Sequence, residues 1–112
     1  WLLWVQGDGG AVWLDKRPTP GVWAGLHCLP LFDSEETLVA QVPAALRAGL
    51  QALPVFTHVL THKDLFLHVW QLRVTDQSSG WSSGGQWIAA DTWPGVGLPA
   101  PIRKLLQQGA PD

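Results

Sequence analysis

Tyrosine and methionine are missing from this chain, cysteine occurs once, and no acidic residue separates Glu36 from Asp64. The lone Cys28 can form no internal disulfide and has no metal-ligand spacing around it, which reads as a core residue of a protein in a reducing, intracellular setting, cytoplasm or nucleoid if the source is bacterial. No apolar run reaches the roughly twenty residues that a membrane helix needs, and no basic stretch leading into an apolar one opens the chain. Neither a membrane span nor a secretory leader is expected. Nine acidic against seven basic residues leave a formal charge of −2, which withholds long-range attraction for phosphate and argues against tight DNA binding by this chain alone. A module that touches DNA through a few residues, while another domain supplies the electrostatics, stays compatible with that charge.

The uneven acids also bear on catalysis. A magnesium site for phosphoryl chemistry needs several oxygen ligands aimed at one point. Asp33, Glu35 and Glu36 gather only at a helix start, where capping accounts for them.

What is present is apolar and ring-rich. A chain of 112 residues, 46% hydrophobic, can enclose one core but hardly two, so residues 1–112 read as one domain and as a monomer. Eight tryptophans imply a core and rim of large rigid rings, whose indole N–H groups need partners wherever they are buried. Trp1 to Val5 reads as the middle of a strand, and a further segment is expected upstream of it.

Along the chain, Trp1–Gln6 and Ala11–Leu14 are apolar runs joined by Gly7-Asp8-Gly9-Gly10, a turn composition that predicts a hairpin. Lys16 to Gly21, with two prolines and a glycine, breaks the sheet with a structured loop, and Val22 to Phe32 leads back through mixed apolar sequence. Ser34 followed by Glu35 and Glu36 predicts a capped helix start with carboxylates complementing the dipole. Leu38, Val39, Val42, Leu46 and Leu50 supply its apolar stripe, Pro43 should kink or split it, and Gly49 should stop it.

Val55–Thr61 and Leu65–Val74 are rich in β-branched and aromatic residues, and only His62-Lys63-Asp64 lies between them, which predicts a second hairpin with Thr61 and His62 at its tip. The nearly unbroken apolar run Leu65–Trp70 suggests a central strand covered on both faces. Gln77 to Gly85 is a flexible loop by composition, and Gln86–Ala89 a further short strand. Pro99 and Pro101 start a last helix, with Ile102, Leu105 and Leu106 as its stripe and Gly109 as its end. Strands alternating with two helices predict an α/β or α+β sandwich of three layers around a mixed sheet.

Candidate chemistry is sparse. His58 and His62 lie four apart, with His68 in the neighbouring strand, but four strand positions span about 13 Å, too far to share an ion. Cys28 with His27, or a serine among Ser78 to Ser83, lacks a visible base and orienting group, and adjacent strand residues face opposite sides of the sheet. Thr61, at a hairpin tip beside His62 and Lys63, is the most suggestive polar position, although turn threonines are common.

Three stretches carry a family likeness. Lys16-Arg17-Pro18-Thr19-Pro20-Gly21-Val22-Trp23-Ala24-Gly25-Leu26, followed by Leu29-Pro30, resembles the Arg-Pro-x-x-Gly-x-Trp-x-Gly-Leu-x-x-x-Pro pattern in the C-terminal domain of MutY adenine DNA glycosylases. Phe56-Thr57-His58-Val59-Leu60-Thr61-His62 is similar to the hairpin where that family carries a Phe-Ser-His tripeptide, and Val96-Gly97-Leu98-Pro99-Ala100-Pro101 resembles its closing segment. The likeness runs over nearly the whole chain in the right order.

The resemblance implies a Nudix-like domain, related to MutT, that recognises 8-oxoguanine paired with adenine in duplex DNA while a separate N-terminal catalytic domain, its expected partner, extrudes and excises the adenine. It places Thr61 on the family's serine. The 8-oxo base carries a proton on N7 and a carbonyl at C8, where guanine offers an N7 acceptor. A hydroxyl can accept from that N–H or donate to that oxygen. Leu60 stands in place of the family's phenylalanine, keeping an apolar wedge without its ring. His62 matches directly, Lys63 beside it is a candidate phosphate contact, and Arg17 is read as structural in its loop.

The resemblance also implies what this chain lacks. The Arg-Glu-x-x-Glu-Glu signature of Nudix hydrolases is absent from Ser34–Pro43, so no catalytic residue, metal or cofactor is expected in this domain. The helix-hairpin-helix segment, the catalytic carboxylates and the four cysteines for a [4Fe–4S] cluster would lie in the N-terminal domain. Two other readings stay open: a nucleotide hydrolase with a degenerate Nudix signature, and a protein-interaction module that uses exposed tryptophans.

Overall fold

Alternation in Leu2–Gln6 (β1) sends Leu2 and Trp4 to one face and Leu3 and Val5 to the other, and all four are buried because both faces are covered. The computed structural model describes residues 1–19, 23–59, 64–74 and 85–109. Within it, a 3-10 turn at Asp8–Gly10 returns the chain into Val12–Lys16 (β2), antiparallel to β1 with Gln6 opposite Val12, which is the predicted first hairpin. Gly9 and Gly10, at φ 72° and 83°, take the left-handed backbone that this turn requires.

His27–Cys28 (β3) pairs with β2, and Gln51–Ala52 (β4) pairs with Val69–Arg73 (β7). β7 runs parallel to β1 over five residue pairs, from Leu2 opposite Val69 to Gln6 opposite Arg73. Gly85–Ile88 (β8) adds to β2, giving a mixed sheet in the order β3-β2-β1-β7-β4 with β8 on β2. Gly85 lies so close to Trp13 and Asp15 that a Cβ there would run into both side chains.

The helices cover opposite faces. Glu35–Gln41 (α1) starts at Ser34, whose hydroxyl accepts from the Thr37 amide, and buries Leu38 with Leu3, Val5, Trp13, Val42 and Leu72. Ala100–Gln108 (α2) lays Ile102 and Leu106 on Leu2, Trp4, Val69 and Leu98. The result is the expected three-layer arrangement. Pro43 splits the predicted long helix: α1 stops at Gln41 and a 3-10 turn runs from Ala44 to Gly49, which leaves Leu46 39% exposed and not in the apolar stripe.

The sequence-based strand Leu65–Val74 is two strands. Asp64–Leu67 (β6) pairs with Phe56–Val59 (β5) in a separate two-stranded ribbon, and the chain changes partners at His68 before joining the main sheet as β7. Only the second half is central and covered on both faces. Phe66, in the first half, is 64% exposed. His68 marks the change: its ring stacks on Trp1 with centroids 4.4 Å apart, and its carbonyl accepts from the Leu2 amide.

Candidate functional site

The β5–β6 ribbon leads into the stretch where the family resemblance puts the expected lesion contacts. Four strict antiparallel pairs, Phe56 with Leu67, Thr57 with Phe66, His58 with Leu65 and Val59 with Asp64, give it two unlike faces. Phe56, Leu65 and Leu67 pack toward the α2 side of the core, and His58 lies tilted against Trp23 with ring centroids 6.3 Å apart. Thr57, Val59, Asp64 and Phe66 face solvent. Leu60, Thr61, His62 and Lys63 connect the Val59–Asp64 pair and lie outside the described residues, as does the Gln77–Gly84 part of the predicted loop.

The loop before β3 braces the same region. The Arg17 amide donates to the Leu26 carbonyl at 2.7 Å, and the Arg17 carbonyl accepts from Gly25 at 3.1 Å, so Arg17 closes this loop through its backbone. Trp23 holds φ at 56°, a left-handed conformation unfavourable for a bulky residue, while its indole packs on the core beside His58. Pro20, Gly21 and Val22 of the motif lie outside the described residues.

A groove of about 580 Å³ runs between β5 and α2. Leu53, Phe56, Pro101 and Leu105 wall it, Lys104 and His58 are basic groups along it, and no carboxylate among the described residues lines it. The helix wall follows from local rules: Pro101 sits in the first turn, Ile102 and Leu106 turn inward, and Lys104 and Gln108, one turn apart, fall along the groove. Gly109, at φ 76°, ends α2 by donating to the Leu105 carbonyl. Arg103 fixes the helix from its other side through hydrogen bonds to the Pro94 and Val96 carbonyls at 2.5 and 2.6 Å. The sequence-based reading missed this groove, because its two walls are 42 or more positions apart and only the Lys104–Gln108 spacing hinted at a polar edge.

Across the sheet, α1 carries carboxylates only in its first turn, Glu35 and Glu36. They border an open cleft of about 500 Å³ with Val39, Ala40 and Arg47. The Arg47 Nε donates to the Val39 and Val42 carbonyls at 3.0 and 2.9 Å, so this guanidinium closes the helix end. Among the described residues, no three His, Cys, Asp or Glu side chains come together as metal ligands. Cys28 is fully buried, and burial, against partial relief from Arg17, pushes its thiol up to about 12. Each described tryptophan is buried or half-buried, and Trp81 lies outside the described residues.

The chain thus combines helices on both faces of a mixed sheet with a two-stranded ribbon set off from that sheet. The chain belongs to the NUDIX domain family, whose model matches residues 1–108. Its fold is similar to that of the C-terminal domain of mouse MUTYH, solved in complex with human PCNA, at a TM-score of 0.72 and 23% identity over 95% of this chain and 82% of that one. It is also similar to a Nudix hydrolase from M. smegmatis, RenU, at a TM-score of 0.55 and 16% identity over 96% of this chain and 79% of that one. The expected mixed α+β architecture is therefore the one found.

Proposed function

We propose that this domain is the lesion-reading module of a MutY-type adenine DNA glycosylase, inspecting 8-oxoguanine opposite adenine in duplex DNA through the hairpin tip at Leu60, Thr61 and His62. The observation that carries the reading is the β5–β6 ribbon, a stalk separate from the main sheet that ends on those residues. The likeness in fold to the MUTYH C-terminal domain supports it. The Thr61 hydroxyl then distinguishes the N7–H and C8 carbonyl of the oxidised purine from the bare N7 of guanine. Lys63 contributes a phosphate contact and Leu60 an apolar one beside the base.

In this reading the chain excises nothing. Cleavage of the adenine glycosidic bond and the family's [4Fe–4S] cluster belong to a catalytic domain elsewhere in the parent protein. Cys28, single and buried, does not fit a cluster that takes four thiolates. The net charge of −2 agrees with a reader that relies on its partner domain for attraction to the duplex.

The test is adenine excision by the intact glycosylase from duplexes holding 8-oxoguanine or guanine opposite the adenine. Thr61→Ala should cut the preference for the 8-oxoguanine duplex about fivefold, roughly 1 kcal/mol, one hydrogen bond's worth. An unchanged preference rejects the assignment. Magnesium-dependent turnover of 8-oxo-dGTP by the domain would instead favour a hydrolase.

A further inference from the structure

We propose that the groove between β5 and α2 binds an extended peptide that carries a carboxylate between apolar side chains. The proposal stands independently of the lesion-reading one, because the groove lies beside the hairpin stalk and not at its tip.

The strand edge is the first observation. Phe56, Thr57 and His58 are consecutive, so their side chains alternate between the two faces of the ribbon, yet all three line the groove. A cavity that meets both faces of a strand meets it along an edge. No residue of β6 lines it. Among the described residues β5 pairs with β6 alone, leaving its groove-side edge without a described backbone partner. Such an edge is the template for addition of another strand, whose amides and carbonyls supply the missing ladder.

Charge is the second observation. In a chain with more acids than bases, no acid among the described residues lines this groove, and Lys104 is the one formal charge among the described lining residues. Lys104 is exposed and stands on the helix wall, across the groove from β5. A strand laid on β5 would send alternate side chains toward Leu53, Phe56 and Leu105, where apolar groups gain by burial. A carboxylate among them would meet the Lys104 ammonium, with His58 and Gln108 as further donors. The scale fits: α2, at nine residues, is about 13 Å long, which matches about four residues of extended chain.

The experiment is selection from a random octapeptide library against the full chain, in parallel with Lys104→Glu. The chain should enrich peptides with alternating apolar residues around an aspartate or glutamate. Lys104→Glu, at an exposed position, should keep the apolar alternation and exchange the acid for lysine or arginine. The best acidic peptide should lose at least tenfold in affinity for the variant, and it should shift the amide NMR signals of β5 and α2. No enrichment, or enrichment indifferent to Lys104→Glu, overturns the proposal. So does displacement of the peptide by a short DNA duplex, which assigns the groove to nucleic acid. A concentration-dependent dimer that Lys104→Glu dissolves overturns it too, in favour of a second copy of this chain.

Discussion

Cys28 shows how one buried side chain ties the sheet's packing to its chemistry. It faces the α2 side of the core with Leu2, Leu14 and Leu29, where a thiolate would stand without solvent. Burial raises its pKa from 9.0 to about 12, so the folded state holds the proton more tightly than the unfolded one. The sign follows: this contribution to stability is complete below the unfolded value and is lost as pH rises through the window from 9.0 to about 12. Cys28 should therefore resist a thiol-reactive disulfide reagent at pH 8 in the native protein and react at once when urea unfolds it. Native reaction at the unfolded rate would show that β3 opens freely. Other single residues carry costs that the fold absorbs. The buried indole N–H groups of Trp4 and Trp87 meet no hydrogen-bond partner among the described residues, and an indole N–H left unpaired in a core costs about 1–3 kcal/mol, which apolar burial of the ring must offset. Gln71, only 2% exposed, escapes that penalty by donating to the Gln6 carboxamide at 2.9 Å across the parallel β1–β7 pair.

Among the elements, those specified by local chemistry were legible in the sequence and those specified by a change of partner were not. Ser34 before two glutamates, Pro43 within an apolar stripe, and Gly109 after Leu106 each act within one helical turn, and each does in the fold what its chemistry dictates. His68 has no such local signature. Leu65 to Trp70 reads as one apolar strand, yet Leu67 pairs with Phe56 of β5 and Val69 with Leu2 of β1, because pairing is decided by distant residues. The groove was hidden for the same reason. Arg47 is a case between the two: its role depends on the turn at Pro43 that swings it back over the end of α1. Arg47→Ala should strip the guanidinium from the Val42 carbonyl, leave the Val39 carbonyl with the Val42 amide alone, and lower stability by about 1 kcal/mol, read as a reduced urea midpoint at unchanged slope. An unmoved midpoint would mean that water replaces the guanidinium at no cost.

At the scale of the whole molecule, stability and the proposed function divide between two sheets. The main sheet is closed by helices on both faces, and Leu2, Leu3, Val5 and Leu72 in its β1–β7 centre are 0–2% exposed. The ribbon has four residue pairs, one covered face, and Val59 and Phe66 71% and 64% exposed on the other. Two strands with one apolar face are marginal without support, and here the support is Phe56, Leu65 and Leu67 against the core. Amides of β5 and β6 should thus exchange with solvent through local opening, while those of β1 and β7 wait for global unfolding. Hydrogen exchange under native conditions should give the ribbon at least about tenfold less protection, a gap of about 1.4 kcal/mol or more. Under the proposed lesion-reading function the gap has a use. A stalk that opens on its own can fit its tip to the duplex without loosening the sheet that carries Cys28 and both helices. Equal protection in ribbon and sheet would make the hairpin a rigid extension of the core, and its tip would then have to meet the lesion in one fixed pose.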